Sequence, residues 1–291
     1  MCVAPIPLKQ DGNKFAANKP FALGNSDVIN VPCGKCVECR RTYVNSWVFR
    51  LTNEFKSKKT RSAYFLTLTF NDDYLYDVGN GLITLDGLHN INYRIFQLFM
   101  KRLRKSYGNG KSNIKYFAVG EYGDKSDRPH FHSIIFNVDQ QNVLDAWNCG
   151  NVHFGEVTEA SIKYTLKYAM KRVGRVYKKD WKEPEKVREI ERSLCSRGLG
   201  LDYIKNKNVV KFYKNDITKQ VLKEGGLVQP LPRYYREKIY TEAELLARSR
   251  LAQKAMDAQY SEENLRERQT LSVRKYQKET IDQKKRKNTG Y

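Results

Sequence analysis

His130 and His132 in the run RPHFHSIIF stand two residues apart inside an apolar stretch. On a β-strand alternate side chains leave the same face, so this spacing sends both imidazoles one way and Phe131 the other, toward a core. Two ring nitrogens so placed can grip one divalent cation. The chain has four histidines in 291 residues, so finding two of them paired carries weight. The alternative reading is a pair of strand histidines satisfied by ordinary hydrogen bonds. A third ligand should offer oxygen, and Glu121 in VGEYG precedes the pair on a strand-like run, where antiparallel return brings it opposite the histidines. Asp124 and Asp127 are rival acids, but they fall in the polar segment GDKSDRP, where turn residues are expected. Two histidines and a carboxylate with open positions suit Mn²⁺ or Mg²⁺ polarising a phosphate.

A phosphate also needs a nucleophile. Tyr164 and Tyr168 in KYTLKYAMKR are four apart, which on a helix places them one turn above the other on a single face. A phenolic oxygen can attack a phosphodiester, conserve the bond as a phosphotyrosine and later return the end to a hydroxyl. Lys163, Lys167 and Lys171 recur at the same interval and would bring positive charge beside the phosphate. With nineteen tyrosines in the chain, a spacing of four also fits simple packing. Adjacent Tyr234 and Tyr235 cannot share a helical face and are poorer choices.

Cys33, Cys36 and Cys39 in VPCGKCVECRR have the spacing of metal ligands. A structural Zn²⁺ wants four donors, and Cys2 is the favoured fourth, with Cys149 and Cys195 also open. Free thiols are the competing reading. The N-terminal residues do not resemble a secretion signal, so the clustered thiols are expected to be reduced and intracellular.

Lys and Arg number 53 against 32 Asp and Glu, a net charge of +21. That excess calls for a polyanion. No run approaches the ~18 apolar residues of a spanning helix, so nucleic acid is expected rather than a membrane. The basic stretches Lys101 to Lys105 and Lys171 to Arg188, which includes Arg172, together with Arg128 beside the histidines, are the expected DNA contacts. Tyr164, Tyr177 and Trp181 could stack on unpaired bases.

Elements must position these groups. Val44, Trp47, Val48, Leu51 and Phe55 repeat at helical spacing; Tyr64 to Phe70 alternates as a strand buried on one face. Residues 71 to 90 read as a Gly-containing loop, and NYRIFQLFMKRLRKSYG as an amphipathic helix ended by Gly108. Ile114 to Val119 and His130 to Val138 read as a hairpin, Trp147 to Val157 as holding a short strand, and Ser161 to Val173 as a helix. The first 30 residues read as coil or a short hairpin, the stretch around Pro230 and Pro232 as irregular. TEAE from Thr241 reads as a capping box opening a helix-prone tail. The order implies an α+β fold, helices packed on an antiparallel sheet. Three regions are expected: 1–60 with the cysteine cluster, 61–235 with the chemistry, and a basic tail at 236–291.

RPHFHSIIF, with GEYG upstream and YTLKY downstream, resembles the HUH endonucleases, named for two histidines flanking a hydrophobic residue. FLTLTF resembles their first motif. VPCGKCVECRR, SRGLG and LPRYY together look like the replication initiators of small single-stranded DNA bacteriophages, microviruses of the gokushovirus type. The resemblance covers most of residues 31 to 240. It implies an RRM-like or ferredoxin-like core and a rolling-circle initiator that nicks single-stranded DNA at the viral origin. Such an enzyme stays joined to the 5′ phosphate, leaves a 3′ hydroxyl and rejoins the product strand. By motif position it implies Tyr164 and Tyr168 as nucleophiles, Lys167 as the lysine between them, and His130 and His132 as metal ligands with Glu121 as the third. It further implies host helicase and polymerase as partners and the cytoplasm of the bacterial host as location. The competing class is a non-catalytic, zinc-stabilised protein that binds single-stranded nucleic acid. That reading explains charge and cysteines but leaves the histidine and tyrosine pairs without a purpose.

Overall fold

The computed structural model describes residues 6–11, 14–17, 28–34, 36–84, 87–108, 113–171, 188–222, 228–259 and 270. The chain divides into two compact units, Trp47–Lys205 and Met1–Ser46 with Asn206–Tyr291.

The unit Trp47–Lys205 is built on strands β4 (Ala63–Thr69), β5 (Lys115–Tyr122), β6 (Pro129–Phe136), β7 (Val152–Gly155) and β8 (Ser193–Cys195). They form one sheet in the order β7-β4-β6-β5-β8, with every neighbour antiparallel. Helix α3 (Tyr93–Ser106) connects β4 to β5, and helix α4 (Gln140–Ala146) connects β6 to β7. The result is a β-α-β-β-α-β core of ferredoxin-like order with β8 added at one edge.

Strand alternation sorts the side chains into two layers. Leu66, Leu68, Phe131 and Ile135 face α3 and α4, where Phe96 and Phe99 meet Phe131 and Trp147 in a fully buried aromatic core. Thr67, Thr69, Glu121, His130 and His132 therefore face the other way. On that second face Trp47 of helix α1 (Val37–Phe55) lies against Phe117, and helix α5 (Glu159–Lys171) lies against β5 and β6. A short helix α2 (Asp72–Tyr76), capped by Asn71, and a bridge between Ile83 and His89 order much of the stretch expected to be loop. Asn71 is an N-cap that the glycine-based reading of this stretch overlooked. Helix α4 was also not anticipated, because a helix of two turns leaves too short a period to read.

Gly150 makes a close approach possible next to the site. A Cβ there would lie 2.4 Å from the Thr69 carbonyl oxygen and 2.5 Å from the Asn71 nitrogen. The chain before β7 thus runs directly along the end of β4.

A buried ion pair ties α1 to the sheet. The Glu54 carboxylate, fully buried, accepts from Lys115 Nζ at 2.7 and 2.8 Å and from the Gly200 N–H at 2.7 Å. Removing one partner of such a pair leaves the other charge uncompensated, so Glu54→Ala should cost about 3 to 5 kcal/mol of stability. A denaturation curve checks this, with an unchanged midpoint as the contrary result.

The other unit carries a three-stranded sheet in the order β2-β1-β3, from β1 (Ile6–Asp11), β2 (Lys14–Ala17) and β3 (Val28–Val31). The hairpin anticipated near the chain start is thus joined by a third strand. Helix α6 (Lys207–Lys214), the pair β9 (Val221–Leu222) and β10 (Val228–Gln229), helix α7 (Arg233–Ile239) and helix α8 (Glu242–Gln259) follow. The segment around Pro230 and Pro232 is therefore regular, contrary to expectation. Pro232 stands at the N-cap of α7, where its fixed φ and missing N–H cost nothing. Tyr235 and Ile239, four apart, bury one face. Thr241 and Glu244 form the expected capping box, the Thr241 N–H meeting Glu244 Oε2 at 2.7 Å and the Glu244 N–H meeting Thr241 Oγ1 at 3.3 Å.

Candidate active site

Register decides what meets across the sheet. His130 lies directly opposite Glu121 on β5 and Thr69 on β4; His132 lies opposite Val119 and Thr67. Glu121 is thus beside one histidine and diagonal to the other. Its Oε2 stands 3.4 Å from Nε2 of His130 and 3.4 Å from Nε2 of His132. These contacts are long for N–H···O hydrogen bonds. Ligands about 2.1 Å from a shared cation would be about 3.0 to 3.4 Å apart, depending on geometry. The three ligand atoms all lie within 4.8 Å of one another, and this set can hold a metal ion. Glu121 and His132 are 3% and 5% exposed, whereas His130 is half-buried, so the group opens to solvent on the His130 side.

Each imidazole is oriented from behind. His130 Nδ1 lies 3.2 Å from the Arg128 carbonyl oxygen, which can only accept, so Nδ1 carries the proton and Nε2 offers its lone pair. His132 Nδ1 lies 3.1 Å from Thr67 Oγ1, a hydroxyl able to accept the corresponding N–H. Both tautomers so fixed turn Nε2 toward Glu121. The donor set therefore fits a divalent cation chemically: two neutral imidazoles, one carboxylate and a supporting hydrogen bond on each ring.

Helix α5 carries Tyr164 over this face. Thr158 and Ser161 close its N-terminus, each N–H bonded to the other's hydroxyl, at 2.8 and 3.1 Å. Ile162, Thr165 and Leu166 bury the helix against the unit, leaving Tyr164 at the margin, 44% exposed. Its ring centroid is 5.3 Å from that of His132 and 6.0 Å from that of Phe65. Phe65 in turn lies nearly parallel to His132, at 5.7 Å and 12°. An aromatic corner of Phe65 and His132 thus seats Tyr164 beside the ligand set.

The remaining expected residues divide. Lys167 is exposed on α5, whereas Lys163 pairs with Glu159 at 2.5 Å. Arg128 pairs with Asp72 at 2.6 Å and donates to the Phe70 carbonyl at 2.9 Å, so it braces the β5-β6 turn against the end of β4. The backbones of Tyr168 and Lys171 lie in α5; their side chains, and Arg172 and Cys2 entirely, lie outside the described residues. Of the basic stretch Lys101 to Lys105, Arg102 is spent on the Ala146 carbonyl, and the helix covers the sheet face opposite the histidines. Asp127 pairs with Arg188 rather than joining the ligand set.

Sequence reasoning missed several supports. Thr67 and Phe65 become visible only once β4 is known to pair with β6. The segment following the basic stretch also escaped notice: Arg188 lies over the Tyr122 ring at 3.9 Å, and buried Glu191 accepts the Tyr122 N–H at 3.2 Å. That bond fixes the peptide next to Glu121. Tyr93, its phenol pushed up by burial and so kept protonated, donates to Ile190 O and accepts from the Arg192 N–H. No spacing rule marks such a strap. His153, opposite Thr67 on β7 and exposed, shares the face of His132.

A second ligand-like group lies in the other unit. Cys33, Cys36 and Cys39 bring their sulfurs within 4.8 Å of one another at the start of α1, and this set too can hold a metal ion.

A family model described as replication-associated protein of the ORF2 type matches residues 63–173, which include β4 to α5 and every residue of the site just described. The chain is 32% identical over 252 residues to replication-associated protein ORF2 of Spiroplasma virus 4, spanning 80% of this chain and 73% of that protein. It is 29% identical to replication-associated protein VP4 of Bdellovibrio phage phiMH2K, over 71% of this chain and 66% of that one. It is also 28% identical to replication-associated protein ORF4 of Chlamydia phage 1, over 71% of this chain and 53% of that one. No solved structure matches the chain. Identity at this level across most of a viral relative places the chain in a family: it belongs to the phage replication-associated proteins of microvirus type, as a replication initiator.

Proposed function

We propose that the chain starts rolling-circle replication by nicking single-stranded DNA at the viral origin through tyrosine attack. The observation that carries this reading is the seat of Tyr164 beside the imidazole pair that Glu121 joins. A metal-ligand set alone would suit many hydrolases; a phenol beside it suits transesterification.

Glu121, His130 and His132 hold Mn²⁺ or Mg²⁺, which supplies Lewis-acid polarisation of the scissile phosphate. Thr67 and the Arg128 carbonyl keep both imidazoles aimed at the cation. The Tyr164 oxygen attacks phosphorus; its proton passes to water, the new O–P bond forms and the bond to the 3′ oxygen breaks. The departing oxygen takes a proton and becomes a 3′ hydroxyl, a primer for the host polymerase in the bacterial cytoplasm. Tyr168, one turn along α5, takes the second transfer that releases and rejoins the product strand. Exposed Lys167 and the +21 charge hold the polyanion.

The test uses the full chain, the phage's own origin strand and Mn²⁺. The expected product is a protein-DNA adduct that survives denaturation, with mass spectrometry placing a 5′ phosphate on Tyr164 or Tyr168. Cleavage without an adduct, or none with any origin fragment, would set the proposal aside.

A further inference from the structure

We infer that Cys33, Cys36 and Cys39 hold one structural zinc ion per chain, a site separate from the nicking chemistry and independent of that reading. The geometry is that of a thiolate knuckle followed by a helix. Gly34, with φ of 71°, turns the chain back between Cys33 and Cys36 in the left-handed region that a side chain disfavours. The turn delivers the Cys36 N–H to Cys33 Sγ at 3.3 Å. Helix α1 starts at Val37, so Cys39 sits in its first turn and returns its sulfur to within 4.0 Å of Cys33 Sγ.

Distance separates the possible states. A disulfide needs sulfurs about 2.05 Å apart. Two thiolates on one tetrahedral zinc, with bonds of about 2.3 Å, stand about 3.8 Å apart. The observed 4.0 Å suits the shared ion. All five described cysteines are thiols. Peptide N–H groups at the start of α1 favour the negative charge that thiolate ligation brings there. Soft sulfur donors select zinc over the hard cations suited to Glu121 and the imidazoles. For the fourth donor the unit has no histidine, and Cys2 is its one other cysteine.

The site fastens the first turn of a 19-residue helix whose far end carries Trp47, Leu51 and buried Glu54. Zinc therefore fixes where α1 begins.

Elemental analysis of the full chain, purified without chelator, should find one zinc per chain. Cys33→Ser combined with Cys36→Ser and Cys39→Ser should bring that to none, while His130→Ala with His132→Ala leaves it at one. Should the triple variant fail to fold, the wild-type chain decides: blocking its thiols with a mercurial should release one zinc to a colorimetric chelator. Absence of zinc in the wild type, iron with sulfide in its place, a Cys33 to Cys39 disulfide in the intact mass, or full zinc retained by the folded triple variant would each overturn the assignment.

Discussion

A chain carrying both Tyr164→Phe and Tyr168→Phe forms no covalent adduct with origin DNA, and its cleavage falls toward background, a loss of about 10⁶-fold if these tyrosines are the nucleophiles. The substitution is chosen for what it keeps. At position 164 the ring contacts with His132 and Phe65 survive, so only the phenolic oxygen is lost. Binding to single-stranded DNA should persist, because charge and stacking faces are unchanged. The measurement is adduct yield on a denaturing gel, beside binding of the same oligonucleotide under non-denaturing conditions. Cleavage at the wild-type rate by the double variant would transfer the nucleophile elsewhere, to water or another side chain. Joint loss of binding and cleavage would show that the tyrosines serve as a stacking platform. Tyr164→Phe alone is the finer probe: its adduct, if any remains, must map to Tyr168.

What the sequence made legible follows from which physical rules are local. The face shared by His130 and His132 needed only the two-residue repeat of a strand, and their opposition to Glu121 only one short hairpin. The stripe of α3 and the capping box at Thr241 were readable for the same reason. Thr67 could not be assigned, since its role depends on β4 inserting beside β6, a pairing across 65 residues. Arg128 shows the opposite failure. Its charge suggested DNA, yet its carbonyl orients His130 and its guanidinium is engaged by Asp72, a partner 56 residues away. Glu191 belongs to the same class: a buried carboxylate that accepts the Tyr122 N–H from 69 residues off. Side-chain chemistry was thus legible where alternation or one turn of helix set the geometry, and hidden where distant strands did.

Replacing Glu121 tests the ligand set most severely, because the carboxylate is the one anionic donor among the three. Without it two neutral imidazoles must hold a hard cation that prefers oxygen. Metal polarisation of a phosphate is worth several kcal/mol, so Glu121→Ala should lower Mn²⁺-dependent adduct formation about 10³-fold or more. Stability supplies an independent readout. A buried carboxylate between two neutral rings is unfavourable without its cation, so Glu121→Gln should leave the metal-free unfolding midpoint unchanged or raise it. In the wild type, Mn²⁺ at 100 times its dissociation constant should add about 2.7 kcal/mol, because only the folded chain gathers the three ligands. The variant should lose that increment along with activity. If Glu121→Ala keeps both the Mn²⁺-dependent shift and the adduct, the third ligand is another acid, and Asp124 or Asp127 must reach the imidazoles. If the shift is lost while cleavage persists, the cation at this site does not serve the reaction. Loss of both together, with the metal-free fold intact, ties the buried carboxylate to the chemistry of the strand break.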